Sequence, residues 1–246
     1  MNTTTKTRLS IFSLGLLLLI GQAGAQTHLW KFDEGTGTTA FDSVHTANSV
    51  NGMLNSATWQ DLSKVGPGAA VRITGADNSY VSFGSSIGKF GTKAFSVALW
   101  VQTTDTLANY DLIGNRADPG HGNFFAVRMT GDGFVTAEVD QDSAGTNYIG
   151  VKSSMNGLND GNWHHIVVTR SGKTLSLYID GSLSNSGTGA GAANINNGKA
   201  FKLGRSLVDS NTARFAPAAL FDDVAIYNTA LTASQVKSLY RKATNQ

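Results

Sequence analysis

Cysteine is absent from the 246-residue sequence, and proline occurs only 3 times. Without cysteine the chain can form no disulfide bond, no thiolate metal site and no cysteine nucleophile, and it has no N-terminal cysteine to lipidate. The 28 glycines and the 41% hydrophobic content are typical of a globular chain with many turns, not of a disordered or collagen-like one. The sequence therefore predicts a domain that folds around a hydrophobic core without covalent cross-links.

Neither sign of charge is in large excess, because the sequence has 19 lysines and arginines and 17 aspartates and glutamates. There is no basic cluster with interleaved aromatic residues, so nucleic acid is not expected as a partner. Glutamate is scarce and occurs only as Glu34 and Glu138. The motifs of a serine-hydrolase elbow, a phosphate-binding loop, a dinucleotide-binding turn and a HExxH zinc site are all missing. These absences exclude most catalytic classes that short motifs reveal.

Residues 1–25 are predicted to be a secretory signal peptide. Lys6 and Arg8 form its charged region, and an apolar run of about ten residues ends at Ile20. That run is too short for a membrane span, which needs about twenty residues. Ala23-Gly24-Ala25 fits a cleavage site. We therefore expect export to the extracellular space or the periplasm, cleavage after Ala25, and a single mature domain over residues 26–246.

Short segments rich in β-branched and aromatic residues, bounded by glycine, asparagine and aspartate, predict many strands. They lie at 29–33, 53–59, 71–74, 80–83, 95–102, 111–115, 124–130, 134–140, 148–153, 201–205 and 220–227. This spacing is typical of an all-β sandwich. Residues 184–197, rich in glycine, alanine, asparagine and serine, predict a long exposed loop. Residues 231–242 predict a short C-terminal helix, because Thr232 and Gln235 have the spacing of a capping box.

The best-specified element is a hairpin over residues 159–181. Turn dipeptides, Asp160-Gly161 and Asp180-Gly181, bound it, and apolar and polar residues alternate through its second strand. Its first strand carries adjacent histidines, His164 and His165, which suggest a metal site. Neighbours on a strand point to opposite faces, however, so they cannot share an ion unless the strand is bulged. We interpret both histidines as structural side chains.

This hairpin, with its sequence D-G-x-W-H-H followed by L-x-L-Y-x-D-G, resembles the central hairpin of laminin-G-like domains of the concanavalin A-like lectin/glucanase superfamily. The segments 30–37 and 221–232 are similar to the opening strand and to the closing strand and helix of that family. The resemblance covers residues 27–242. It implies a two-sheet antiparallel jelly-roll β-sandwich with a short C-terminal helix.

A structural calcium ion is the cofactor that the resemblance implies. Such domains often hold one ion where the N-terminal loop meets the closing strand, and Asp42 and Asp222 match ligand positions there. Asn48 and Gly52, in the loop after Asp42, can offer backbone carbonyls, which calcium accepts together with carboxylates. Asp222 lies an even number of residues from apolar residues of the same predicted strand, so its side chain is expected to point the same way as theirs. It is therefore expected to be buried and to need a partner. The alternative is that Asp42 forms an Asx turn and Asp222 accepts backbone N–H groups.

Glycoside hydrolysis is a second, less favoured hypothesis. The β-glucanases of the superfamily carry three acidic residues on one strand, and Glu138, Asp140 and Asp142 offer a similar array. The array ends in aspartate where those enzymes have glutamate. A displacement of a catalytic group by about 1 Å can cost about a hundredfold in rate. We therefore expect a protein that is not an enzyme.

The favoured hypothesis is binding of a glycan through loops or an open sheet face, where aromatic rings pack on sugars and polar side chains contact hydroxyls. The alternative is an adhesion or matrix domain that binds a cell-surface protein. The protein is expected to be a monomer. The candidate ligand-binding residues are Tyr110, Arg116, Asp118, His121, Asn123, Tyr148 and Arg214.

Overall fold

The computed structural model describes residues 26–66, 68–76, 78–107, 109–117, 120–205 and 216–244. The predicted signal peptide and two predicted binding residues, Asp118 and Arg214, lie outside the described residues. Within the described residues, no helix has the length and apolar character needed to cross a membrane.

The described chain forms strands and one helix. The strands are β1 (Gln26–Trp30), β2 (Thr39–Ala40), β3 (Gly52–Asn55), β4 (Thr58–Gln60), β5 (Ala70–Thr74), β6 (Tyr80–Ser82), β7 (Phe95–Thr103), β8 (Asn109–Gly114), β9 (Phe124–Thr130), β10 (Val135–Asp140), β11 (Ile149–Lys152), β12 (Trp163–Ser171), β13 (Thr174–Ile179), β14 (Ser182–Thr188), β15 (Lys202–Leu203) and β16 (Ala218–Tyr227). The helix is α1 (Ala233–Thr244).

The strands build two antiparallel sheets packed face to face. Sheet A has the order β14-β13-β12-β7-β16-β5-β4, with β1 also paired to β16, and sheet B has the order β11-β10-β9-β8-β15-β6-β3-β2. The main core lies between them, and Phe95, Val97, Leu99 and Val101 of β7 all belong to it. The predicted all-β jelly-roll sandwich with a C-terminal helix is confirmed.

The predicted hairpin is confirmed as β12 and β13, which pair from Ile166 with Ile179 to Ser171 with Thr174. His164 Nδ1 lies 2.8 Å from Asp180 Oδ2. His165 instead packs against Trp100, with 4.8 Å between the ring centroids and 30° between the ring planes. The two histidines therefore face different partners, as strand alternation predicts.

The chain after this hairpin differs from the predicted loop. Residues 182–188 form β14, an edge strand of sheet A that pairs with β13. Asp180 and Gly181 both have positive φ, 49° and 77°. A two-residue turn of type I′ needs that conformation, and it returns the chain alongside β13. The side chains of β14 are mostly exposed, so its composition resembles that of a loop while its backbone hydrogen bonds make it a strand.

Helix α1 covers the outer face of sheet A. Thr232 and Gln235 form the predicted capping box, with the Thr232 N–H donating to Gln235 Oε1 at 2.8 Å and the Gln235 N–H donating to Thr232 Oγ1 at 3.3 Å. Val236 packs in a second apolar cluster on the strands. Tyr240 stacks on Trp100, with 5.6 Å between the ring centroids, so α1 covers this part of the outward face of β7.

Strand β16 changes neighbours partway along its length. Ala218 to Phe221 pair with β5, whereas Val224 to Tyr227 pair with β1. A bulge interrupts the pairing with β7 between Asp222 and Ala225, and Asp223 within it has φ of 42°. A bulge re-aims side chains, and here it places two adjacent carboxylates where β5 gives way to β1.

Candidate ligand-binding face of sheet B

The outer face of sheet B is the face that α1 leaves open. Along β10, Ala137 and Val139 belong to the core, so Glu138 and Asp140 point outward. Asp140 lies directly opposite Phe124 of β9. Glu138 and Asp140 therefore lie on the outer side of sheet B, at the end of β10.

Arg116, Glu138 and Tyr148 form a bonded group on this face. Arg116 Nη1 donates to Glu138 Oε2 at 3.1 Å, and Tyr148 donates through its hydroxyl to Glu138 Oε1 at 2.8 Å. The Arg116 guanidinium also lies over the Phe124 ring, 4.4 Å from its centroid. Burial, followed by the charge of Glu138, raises the pKa of Tyr148. The phenol is therefore neutral and can donate a hydrogen bond at physiological pH.

His121 and Asp140 extend the group toward the loops. His121 Nδ1 lies 2.6 Å from Asp140 Oδ2, and the His121 ring meets the Tyr148 ring edge to face at 5.0 Å. The His121 side chain is 49% exposed, whereas the Asp140 side chain is fully buried. Tyr148 is 38% exposed. We call the six residues the sheet B cluster: Arg116, His121, Phe124, Glu138, Asp140 and Tyr148.

A small cavity of about 220 Å³ adjoins the sheet B cluster and shares Phe124 with it. Asn123, which also lines this cavity, ties the surrounding loops together. Its side-chain amide donates to the carbonyls of Gln141 and Asn194, at 2.7 and 2.6 Å, and its oxygen accepts the Asn196 N–H at 2.8 Å. The predicted binding residue Asn123 is thus placed at the site, but its hydrogen bonds are used to hold the loops.

Tyr110 is not at this surface, which corrects its prediction as a binding residue. It is fully buried, and its hydroxyl donates to the Asp105 carbonyl at 3.1 Å. Strand β8 begins at Asn109, two residues before the predicted start, so Tyr110 is a strand residue that faces the core. Of the predicted binding residues, the structure brings together Arg116, His121, Asn123 and Tyr148.

The acidic array predicted for hydrolysis is not formed as a row on one strand. β10 ends at Asp140, and Asp142 lies in the following turn, where its Oδ1 accepts the N–H groups of Ala144 and Thr146 at 3.0 and 3.1 Å. Asp140 accepts the backbone N–H groups of Gly122 and Gln141 at 3.2 and 2.8 Å. The alternation rule applies only while the strand continues, and here it stops before the third acid.

The Asp42 carboxylate already has a full set of donors. Its Oδ1 accepts the N–H groups of Leu29 and Val44, both at 3.1 Å. Its Oδ2 lies 2.7 Å from His28 Nδ1 and accepts the Val50 N–H at 3.1 Å. Burial raises the pKa of Asp42, but these hydrogen bonds outweigh it and lower the pKa below its usual value. The bond from the Val44 N–H is the Asx turn of the alternative prediction. The bonds from Leu29 and Val50 attach the same carboxylate to the first strand and to the neighbouring loop.

The Asp222 carboxylate is similarly occupied, by the loop at residues 63–65. Its Oδ2 accepts the N–H groups of Lys64 and Val65 at 2.7 and 3.1 Å and the Ser63 hydroxyl at 3.1 Å. Burial raises the pKa of Asp222 to about 6, and these bonds offset only part of that effect. Asp42 and Asp222 share no donor.

This arrangement does not fit a calcium ion held by both carboxylates, because donors occupy both oxygens of Asp42 and the Oδ2 of Asp222. In the described part of the chain, no group of three or more histidine or acidic side chains is placed to hold a metal. Asn48 lies on a different cavity, with His28 and Phe90, and Gly52 is a residue of β3. Calcium therefore stays a prediction from the resemblance.

Some residues of the site were not singled out as ligand-binding residues from the sequence. Phe124 and Glu138 belong to the sheet B cluster, and Lys199 lines the adjoining cavity. The alternation of side chains along β9 and β10 predicts that Phe124 and Glu138 point outward. The position of Lys199 depends on contacts between loops distant in sequence, for which the residue pattern contains no indication.

Two antiparallel sheets, a helix on one of them and a polar face with loops on the other define the class of β-sandwich domains. The chain belongs to the concanavalin A-like lectin/glucanases superfamily, because the laminin-G-type model of that superfamily matches residues 74–237. The predicted family is thereby confirmed.

Solved structures with the same fold include several binding domains. Domain 4 of AbnA, a GH43 extracellular arabinanase from Geobacillus stearothermophilus solved with arabinotriose, is 20% identical with a TM-score of 0.66, over 89% of this chain and 100% of that chain. The binding domain of Paraclostridial Mosquitocidal Protein 1 is 19% identical with a TM-score of 0.69, over 89% of this chain and 52% of that chain. The botulinum neurotoxin serotype G binding domain is 18% identical with a TM-score of 0.64, over 88% of this chain and 51% of that chain.

A curated relative matches a smaller part of the chain. The rat (Rattus norvegicus) sushi, von Willebrand factor type A, EGF and pentraxin domain-containing protein 1 is 39% identical over 93 residues. The match covers 33% of this chain and 2% of the rat protein. The chain thus spans about half of the mosquitocidal binding-domain chain and a very small part of the rat protein.

Proposed function

We propose that this protein is an exported, non-catalytic module that binds a glycan through the sheet B cluster. The observation that carries the proposal is the exposed Tyr148 ring, held over Glu138 and Arg116 on the open sheet face. Tyr148 and His121 offer aromatic surfaces to the C–H face of a sugar ring. The adjacent Arg116 guanidinium and Glu138 carboxylate can donate to and accept from its hydroxyl groups. The arabinotriose complex of a domain with the same fold supports a sugar as the ligand class.

The test is a glycan array with the mature protein, followed by calorimetric titration of the strongest binder and of arabinotriose. Tyr148→Ala should weaken binding about tenfold, which corresponds to about 1.4 kcal/mol. Tyr80→Ala is the matched control. Tyr80 faces outward from β6, five strands away in the same sheet, or roughly 24 Å at about 4.8 Å per strand. Equal losses in the two variants, or no glycan binding at all, would overturn the proposal.

Hydrolysis is tested on the same ligands. Release of reducing ends from β-glucans or arabinans, abolished by Glu138→Gln, would make the module an enzyme. We expect no release, because Glu138 is bonded to Arg116 and Tyr148 and Asp142 lies off the strand. Capture of a cell-surface protein that persists in Tyr148→Ala, with no glycan bound, would support the adhesion alternative instead.

A further inference from the structure

A second cavity lies on the opposite side of the sandwich, under helix α1. Its volume is about 470 Å³, within the range of about 300–1,000 Å³ that small-molecule sites occupy. It opens where β16 passes from β5 to β1, and α1 contributes Leu239, Lys242 and Ala243 to its wall. None of the sheet B cluster lines it.

The floor of this cavity contains a buried polar group with no partner. His165 is only 4% exposed, and its Nδ1 has no hydrogen-bond partner among the described residues. Burial lowers the pKa of His165 to about 4, so the ring is neutral and has one donor and one acceptor nitrogen. Buried polar groups are almost always hydrogen-bonded, so this unpartnered nitrogen is an exception that a bound partner would remove.

Asp223 lines the same cavity and is aimed at it by the bulge in β16. Within the described structure, its carboxylate oxygens accept no hydrogen bond. Its neighbour Asp222 differs, because the loop at residues 63–65 supplies that carboxylate with donors. His165 and Asp223 thus line one cavity, and neither the histidine Nδ1 nor the carboxylate has a hydrogen-bond partner in the described structure.

The cavity wall carries both signs of charge, and burial raises the pKa of Asp223 to about 7, so this carboxyl is partly protonated near neutral pH. Asp33 and Asp223 face it together with Lys31 and Lys242. A cation would be attracted by the two aspartates and repelled by the two lysines, and an anion the reverse. A hydroxyl group both donates and accepts, so it can bond to either kind of residue.

Part of the remaining wall is apolar and contains Leu29, Ala98, Ala225 and Leu239, while Gln26 and Tyr227 add polar groups. We propose that this cavity is a second binding site, which takes a neutral polyhydroxylated ring of about monosaccharide size. The C–H face of the ring lies on the apolar wall, and its hydroxyl groups bond to His165 and Asp223. This site goes beyond the proposed glycan face and depends on none of its residues.

The experiment is an NMR titration of the mature protein with glucose, glucosamine and glucuronate, which share a ring and differ in charge. The signals to follow are the Trp100 indole and the His165 ring, because both residues line the cavity. We expect saturable shifts with glucose and at least threefold weaker binding of both charged sugars. Tighter binding of glucosamine or of glucuronate would make this an ion site and overturn the proposal, as would no saturable shift with any of the three.

Variants separate this site from the glycan face. Asp223→Asn, which keeps a residue type that tolerates positive φ, should weaken glucose binding about fivefold. Asp33→Asn, at an exposed rim position, should weaken it about twofold and serves if the first variant fails to fold. Asp61→Asn, on an exposed residue outside the cavity, is the matched control. Tyr148→Ala should leave the Trp100 and His165 shifts unchanged, and a loss of those shifts in Tyr148→Ala would overturn the second site.

Discussion

Tyr148 reaches Glu138 by lying back over Gly150, and its hydroxyl passes through the space that a side chain there would fill. A Cβ added at position 150 would lie 2.6 Å from Tyr148 Oη. Gly150 sits directly opposite Glu138 in the ladder between β10 and β11. The exposed ring of the proposed glycan site is therefore positioned by the absence of a side chain on the neighbouring strand.

Gly150→Ala should displace the Tyr148 ring and break its hydrogen bond to Glu138. We expect about a tenfold loss of glycan affinity, and a change in unfolding free energy below about 1 kcal/mol because the site is at the surface. Calorimetric titration and urea unfolding measure the two quantities. Tyr148→Phe is the comparison, since it removes only the hydroxyl and leaves the ring unobstructed. If Gly150→Ala binds like the wild type, the positioning role assigned to Gly150 is wrong.

Arg170 should be indispensable for stability, although no carboxylate pairs with it among the described residues. Its side chain is fully buried and donates to the carbonyls of Gly91 and Ala193, at 2.7 and 2.8 Å, and to that of Lys93. Lysine has no planar fork to reach three carbonyls. Arg170→Lys should therefore lower the unfolding free energy by about 3 kcal/mol, because buried acceptors lose their donors.

Urea unfolding checks this loss, with Arg72→Lys at an exposed strand position as the control. A loss below about 1 kcal/mol in Arg170→Lys would show that the three carbonyls find other donors.

His164 should make stability depend on pH. Hydrogen bonding to Asp180 is the main cause that raises the pKa of His164, and Asp160 adds to it. A raised folded-state pKa contributes stability that is complete below the unfolded value of about 6.5 and is lost as pH rises through the folded value. The stability difference between the wild type and His164→Gln should therefore be larger at about pH 5.5 than at about pH 8.5.

Denaturant unfolding at both pH values measures this difference. His45→Gln, on an exposed loop, is the matched control. Equal differences for His164→Gln at the two pH values would mean that the imidazolium contributes nothing.

Chelation tests the calcium prediction. Any ion bound only to the folded state raises the melting temperature. In the structure protein donors occupy both Asp42 and Asp222, so we expect the same melting temperature in calcium and in chelator. A calcium-dependent rise that Asp42→Asn abolishes, and that Asp61→Asn retains, would contradict this expectation and support the ion.

The sequence predicts those elements whose determinants are local. The hairpin of β12 and β13 is such a case, because its turn residues and its alternation lie within about twenty residues. The capping box of α1 is another, and so is the separation of His164 from His165. Strand β14 was missed because its residues are polar and only its pairing with β13 makes it a strand.

The candidate site was predicted in part for the same reason. Arg116, His121 and Tyr148 are polar or aromatic residues beside turns, and the fold gathers them. Tyr110 has the same character but faces the core, since β8 starts earlier than its composition indicates. The cavity under α1 depends on β16 changing neighbours at Asp222. The change of neighbour brings together strands from the two ends of the described chain, and no local sequence pattern predicts it.

The amide contacts of Asn123 with Gln141, Asn194 and Asn196 have a consequence for the rate of binding. Loops already fixed to one another lose little conformational freedom when a ligand arrives. Association at the sheet B cluster should therefore be a single step, with an observed rate linear in ligand concentration. Differences in affinity among glycans should then come from how long each complex lasts.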